Sequence, residues 1–103
     1  MIKVLFKRVG YPTMVKCIPN TLETFQQLVG GYIETVGGLG GDLVLVCNEE
    51  GKLKGMDPHL ITAEFDIVVG DVIVTAYDGD GDFRDLSDEE ITTAIEILEE
   101  MEL

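Results

Sequence analysis

Asp78, Asp80 and Asp82 alternate with glycine, and Glu89 stands at the twelfth position counting from Asp78. Calcium loops of the EF-hand kind place acids at positions one, three, five and twelve, because a large hard cation takes six to eight oxygens. Here position six is Phe83, where a glycine makes the sharp turn, and position eight is Asp85, where an apolar residue packs. A strand also precedes the loop where the motif has a helix. A solvated acidic loop is the favoured reading; a calcium-binding module using Asp78, Asp80, Asp82 and Glu89 is the alternative. No other cofactor or metal is expected. His59 is the single histidine, and Cys17 and Cys47 stand far apart with no CxxC, so a zinc site has almost no ligands to draw on. Each cysteine lies in an apolar run, which reads as two buried, unpaired thiols.

Other residues that could do chemistry fail on context. Glu49 and Glu50 are adjacent in a turn and point apart, with no nucleophile or metal ligand beside them. His59 follows Pro58 in what reads as a loop, and is expected at the surface. Gly37-Gly38-Leu39-Gly40-Gly41 is rich enough in glycine to approach a phosphate, but an apolar strand follows it, not the helix and Lys-Ser/Thr pair of a nucleotide loop. No catalytic constellation survives, and the chain is expected not to be an enzyme.

Charge is more informative. Seven basic and twenty acidic side chains give a net charge of −13, which disfavours direct contact with nucleic acid or an anionic membrane. Residues 78–103 hold eleven of the acids and one base, Arg84, while residues 1–18 hold four bases and no acid. Carboxylates at helical spacings of three and four lie roughly 5 to 6 Å apart, near the spacing of phosphates along a nucleic-acid strand. Asp78, Asp80, Asp82, Asp85, Glu89, Glu96, Glu99 and Glu100 therefore form a candidate partner-binding surface for a basic, nucleic-acid-binding protein. Tyr32 and Phe83 are the candidate aromatic anchors. The plain alternative is a solvated face that keeps the protein soluble.

The elements that must position these groups follow from periodicity. Residues 2–9 alternate as a strand, a turn at Gly10-Tyr11-Pro12 follows, and residues 13–18 read as a second strand of a hairpin. A short helix begins after Pro19, with Asn20 as its cap and Glu23 reaching back, and stops at Gly30-Gly31. Residues 32–36, 43–47, 67–69 and 72–77 read as strands, with a turn or bulge at Gly70. Gly51 is expected in the left-handed region, and residues 56–62 read as irregular. The last helix is the clearest: Ser87-Asp88-Glu89-Glu90 is a capping box, and Ile91, Ala94, Ile95, Leu98 and Met101 form one apolar stripe. The fold class is α+β: a mixed or mainly antiparallel sheet of about five strands with a short helix and a C-terminal acidic amphipathic helix, one domain over residues 1–103. No apolar run reaches the ~18 to 20 residues of a membrane span, and the N-terminus lacks signal-peptide order. A cytoplasmic protein is expected, and exposed edge strands leave a homodimer open.

The blocks Val29-Gly30-Gly31-Tyr32-Ile33-Glu34, Asn48-Glu49-Glu50-Gly51-Lys52-Leu53, Val69-Gly70-Asp71-Val72 and Leu86-Ser87-Asp88-Glu89-Glu90-Ile91 together span most of the chain. In this combination the chain resembles a domain-of-unknown-function family of small acidic proteins carried by phages, plasmids and conjugative elements of gut bacteria. That family usually has an asparagine after the proline of its mid-chain loop, where this chain has His59. The resemblance implies a mobile-element setting and transfers no catalytic residue. Joined to the acidic surface, it implies an inhibitor of a host defence nuclease, such as a CRISPR effector or restriction enzyme. A regulatory or scaffold subunit of mobile-element machinery is the further alternative.

Overall fold

Val72, Ile73, Val74, Thr75 and Ala76 are wholly inaccessible to solvent, so both faces of their strand must be covered. The structure, a computed structural model, describes residues 1–62 and 66–103. Its elements in chain order are β1 (Ile2–Lys7), β2 (Met14–Ile18), α1 (Leu22–Val29), β3 (Ile33–Val36), β4 (Leu43–Asn48), β5 (Pro58–Ile61), β6 (Ile67–Val69), β7 (Val72–Tyr77), β8 (Phe83–Arg84) and α2 (Asp88–Met101). The main sheet has the order β2-β1-β7-β4-β3, with β8 also pairing β7, and β5 and β6 form a separate two-stranded sheet. Every strand pairing is antiparallel.

Alternation along the strands sorts side chains into two cores. Leu5, Leu43, Leu45, Cys47, Val72, Val74 and Ala76 face Leu86, Ala94 and Leu98 of the C-terminal region together with Leu60 and Val68 of the small sheet. Val4, Phe6, Val46 and Ile73 face Phe25 and Val29 of α1. The fold is therefore α+β, with an antiparallel sheet covered by one helix on each face.

The helix ends carry their own explanations. In α2 the Ser87 hydroxyl accepts the Glu90 amide while the Glu90 carboxylate accepts the Ser87 amide, closing the capping box. Ala94 and Leu98 are buried, and Ile91, Ile95 and Met101 are partly so. No helix among the described residues is long and apolar enough to cross a membrane. In α1 the cap is Thr21, not Asn20: the Thr21 Oγ1 accepts the Thr24 amide at 3.2 Å. Asn20 is used elsewhere, its side-chain amide donating to the Phe83 carbonyl at 3.0 Å. Gly30, at φ +84°, ends α1 as expected.

Three further expectations are corrected. Residues 58–61 are a strand, with His59 and Leu60 buried at 3% and 0% exposure, not an irregular surface loop. Cys17 is exposed on β2 and only Cys47 is buried, where desolvation, then the charge of Glu34, pushes its thiol up to about 11. As expected, residues 67–69 and 72–77 are two strands, and Gly70, at φ +77°, turns between them. The left-handed position in the turn after β4 belongs to Gly55, at φ +70°, and not to Gly51. Gly51 is needed for space, because a Cβ there would sit 2.6 Å from the Val69 Cγ2.

Gly51→Ala is accordingly expected to lower stability by about 1–3 kcal/mol in urea denaturation, through forced movement of Val69. Gly79→Ala, with nothing within 4 Å of its Cβ position, is expected to be neutral or slightly stabilising through the unfolded chain. Equal effects of the two would remove the steric account.

Candidate acidic partner-binding surface

The loop after β7 folds on its own carboxylate. Asp78 Oδ1 accepts the backbone amides of Asp80 at 2.8 Å and Asp82 at 3.0 Å, and the Asp78 amide donates to the Asp82 carbonyl. These two amides satisfy one oxygen of Asp78 within the loop, an Asx-type turn that fixes the backbone from 78 to 82. Asp80 and Asp82 stand exposed beyond it. Asp85 accepts the backbone amide of Lys3, while the Leu86 amide donates to the Lys3 carbonyl, so the chain entering α2 is stitched to the start of β1. Among the described residues no group of three or more His, Cys, Asp or Glu is arranged to hold a metal.

Arg84, the one base of the acid-rich segment, is half-buried and held by several partners. Its two terminal nitrogens donate to the Glu90 carboxylate at 2.8 and 3.0 Å, one also reaches Asp42 Oδ2 at 3.3 Å, and Nε donates to the Tyr77 carbonyl. This bidentate pair is stronger and more directional than a single contact. The Arg84 hydrogen bonds, helped by the Ser87 amide, hold the Glu90 carboxyl down to about 2. The pairing also raises Arg84. Asp42, on the segment before β4, and Glu90, on α2, are thus joined through β8.

The remaining acids are left to solvent. Asp78, Asp80, Asp82, Glu89, Glu96, Glu99 and Glu100 are exposed and form no ion pair among the described residues. They fall into two groups. The 78–82 loop sits at the Tyr77 end of the sheet with Asp85, Asp88 and Glu89. Glu96, Glu99 and Glu100 follow along the outward side of α2. Glu89 and Glu96 are seven residues apart, a rise of about 10 Å, and the exposed Thr92 and Thr93 lie between them.

The two aromatic candidates are not brought together. Tyr32 is 65% exposed just before β3, whose Ile33 pairs with Asn48 at the end of β4. That is the end of the sheet opposite the 78–82 loop, since Leu43 at the start of β4 pairs with Ala76. Phe83 is half-buried, with its ring 4.9 Å from Phe25 and 5.6 Å from Tyr77. Much of its apolar surface is spent on packing against α1.

Several residues that order this surface carry no local signal. Lys7 is buried, with its ammonium 2.6 Å from Glu102 and also donating to the Tyr11 and Arg8 carbonyls. This ties the end of α2 to β1. His59 Nδ1 donates to the Gly70 carbonyl at 2.9 Å, while the Leu103 amide donates to the His59 carbonyl. The carbonyl can only accept, so Nδ1 bears a proton, while Nε2 is buried with no partner among the described residues. Of these contacts, only the departure from asparagine at position 59 stood out in the sequence.

Two sequence blocks meet in space. The buried Asn48 side chain donates to the Val29 carbonyl at 3.1 Å and accepts the Glu50 amide at 2.8 Å, and the Glu49 amide donates to the Tyr32 carbonyl. A Cβ on Gly31 would stand 2.9 Å from Asn48 Nδ2. Glycine in the first block and asparagine in the second are therefore one packing unit, which joins the end of α1 to β4. A family model described as a domain of unknown function (DUF3846) matches residues 2–100. The chain belongs to this family. No curated protein and no solved structure matches it. In this DUF3846 chain the match reaches from β1 to the last turn of α2, so both cores and the acidic helix fall within it.

Glu90→Gln tests the clamp, because glutamine can still accept the Ser87 amide but cannot pair as an ion with Arg84. The Glu90 pKa is lowered on folding from 4.5 to about 2. Its stabilisation is thus fully present above about 4.5 and is lost as pH falls towards 2. Thermal melts should show E90Q less stable than wild type at neutral pH, with the two converging near pH 2. A pH-independent gap would mean that the pair contributes through shape and not charge.

Proposed function

We propose that this DUF3846 chain is a non-enzymatic accessory protein of a mobile genetic element, acting in the cytoplasm. Its role in this reading is to inhibit a host defence nuclease, of the CRISPR-effector or restriction type, by occupying a basic nucleic-acid groove. The observation that carries the reading is the fate of Arg84. The only base of residues 78–103 is committed to Glu90 and Asp42, so among the described residues it does not neutralise the outward acids. A capped helix then holds Glu96, Glu99 and Glu100 at three- and four-residue spacings. A rigid array can displace a nucleic acid from a basic groove and release the same counterions, without the entropy lost by ordering a disordered acidic tail.

The test is displacement of a labelled duplex from purified defence nucleases, followed by fluorescence anisotropy over a salt series. The chain is expected to displace the duplex from a susceptible nuclease, with potency falling as salt rises. Replacing Glu96, Glu99 and Glu100 together by Gln is expected to weaken displacement by roughly tenfold, as three exposed charge contacts would. No displacement from any nuclease tested, or displacement indifferent to both salt and the substitutions, would sink the proposal.

A further inference from the structure

Glycines from three separate parts of the chain converge on one side chain, that of Met56 in the turn between β4 and β5. A Cβ on Gly70, which turns from β6 to β7, would stand 2.8 Å from the Met56 sulfur. One on Gly51, after β4, would stand 3.4 Å from it, and one on Gly30, at the end of α1, 3.7 Å from the Met56 Cε. The thioether thus lies in a cradle of backbone, tightest at Gly70, where its polarisable sulfur fills the gap between three elements. The amides of that cradle are all committed. Gly30 donates to the Gln26 carbonyl, Gly51 to Asn48, Gly70 to Asp57, and Met56 itself to Gly51. Met56 is nevertheless only half-buried, and a surface hollow lined by Gln27, Leu28, Gly55 and Asp71 opens beside it.

We infer that Met56 is a reversible oxidation site, at which a hydroperoxide converts the thioether to the sulfoxide and so releases the β4–β5 turn from its glycine cradle. With hydrogen peroxide, a sulfur lone pair attacks one oxygen and the O–O bond breaks. The sulfur-bound hydroxyl gives its proton to the departing hydroxide, which leaves as water, so sulfur loses two electrons and the peroxide gains them. The product is a larger, polar and chiral group. Inside the cradle its oxygen meets amides that already have acceptors, and a buried acceptor without a donor is costly. The side chain is consequently expelled. The effect spreads because β5 starts two residues after Met56, and β5 supports the end of α2 through the Leu60–Glu102 bridge and the Leu103 amide on the His59 carbonyl. The other methionines differ in setting. Met1 and Met14 are 82% and 49% exposed, where a sulfoxide stays in water. Met101, half-buried against the α2-side core, is the competing site. The inference does not depend on the nuclease reading.

Graded hydrogen peroxide on the full chain, read by peptide mass spectrometry and thermal melts, decides the matter. Met56→Leu, Met101→Leu and Met14→Leu are the matched variants, each close to volume-conserving. Wild type is expected to gain a sulfoxide at Met56 and to lose roughly 5 °C or more from its melting midpoint. Methionine sulfoxide reductases should restore that midpoint. M56L should keep its midpoint through the same treatment, while M14L and M101L fall as wild type does. Cys17 is present in every variant, so its oxidation is common to all. Should M56L fold poorly before treatment, the wild-type loss and its enzymatic reversal still have to follow the sulfoxide at Met56 and not the one at Met101. A folded chain that takes no oxygen at Met56, or a midpoint unchanged once Met56 is oxidised, overturns the proposal. A loss that M101L prevents and M56L does not overturns it as well.

Discussion

A strand with no exposed residue between positions 72 and 76 needs two hydrogen-bonded neighbours and a cover over each face, and the rest of the molecule meets that demand. β1 and β4 supply the neighbours, by antiparallel pairing at Ile73 and Val74 on both sides. α1 covers one face through Phe25 and Val29, and α2 covers the other through Ala94 and Leu98. The small β5–β6 sheet closes what α2 leaves open, since Leu60 and Val68 belong to the same core. Removing any one cover would expose several β-branched side chains at roughly 25 cal/mol per Å². The acidic helix is thus a structural wall as well as a charged surface.

That double duty explains the polar contacts at the ends of α2. At its start, Arg84 neutralises Glu90 and gathers Asp42, where three carboxylates and the cap would otherwise crowd. At its end, Lys7 holds Glu102 from within the sheet. Each of these bases serves the fold, and neither is available to neutralise Glu96, Glu99 or Glu100. Packing and surface charge are consequently coupled: the bases that stabilise the helix do so without dimming its outward face.

The sequence was most legible where one residue type could have only one role. Ser87 and Glu90 read as a capping box before so regular an apolar stripe, and the unbroken apolar run of residues 43–47 required a buried strand. Legibility failed where a distant partner decided. Pro58 and His59 read as loop because β5 is only four residues long and owes its burial to β6 and the C-terminal residues. Thr21 displaced Asn20 as the cap because the Phe83 carbonyl, sixty-three residues away, recruits the asparagine. Gly51 looked like a left-handed turn residue, whereas its constraint is Val69 on another strand. Of the acidic surface, the residues were visible but not their division into two groups, since that follows from where β7 ends and α2 runs.

The placement of acids along α2 bears on whether the surface is more than solubilising. Asp88, Glu89 and Glu90 lie at the positive end of the helix dipole, where carboxylates stabilise. Glu99 and Glu100 lie at the negative end, where the last turn holds no base, and acids there cost a few tenths of a kcal/mol to about 1 kcal/mol each. Lysine or arginine at the same exposed positions would help the helix, but would cut the self-repulsion of a chain at −13, and Asp and Glu favour solubility more than Lys and Arg do. Solubility is thus a sufficient reason to keep carboxylates there, at this small cost to the helix. The proposed basic groove would draw on the same single sign of charge along the outward side of α2, so the solubilising role and the binding role call for the same residues.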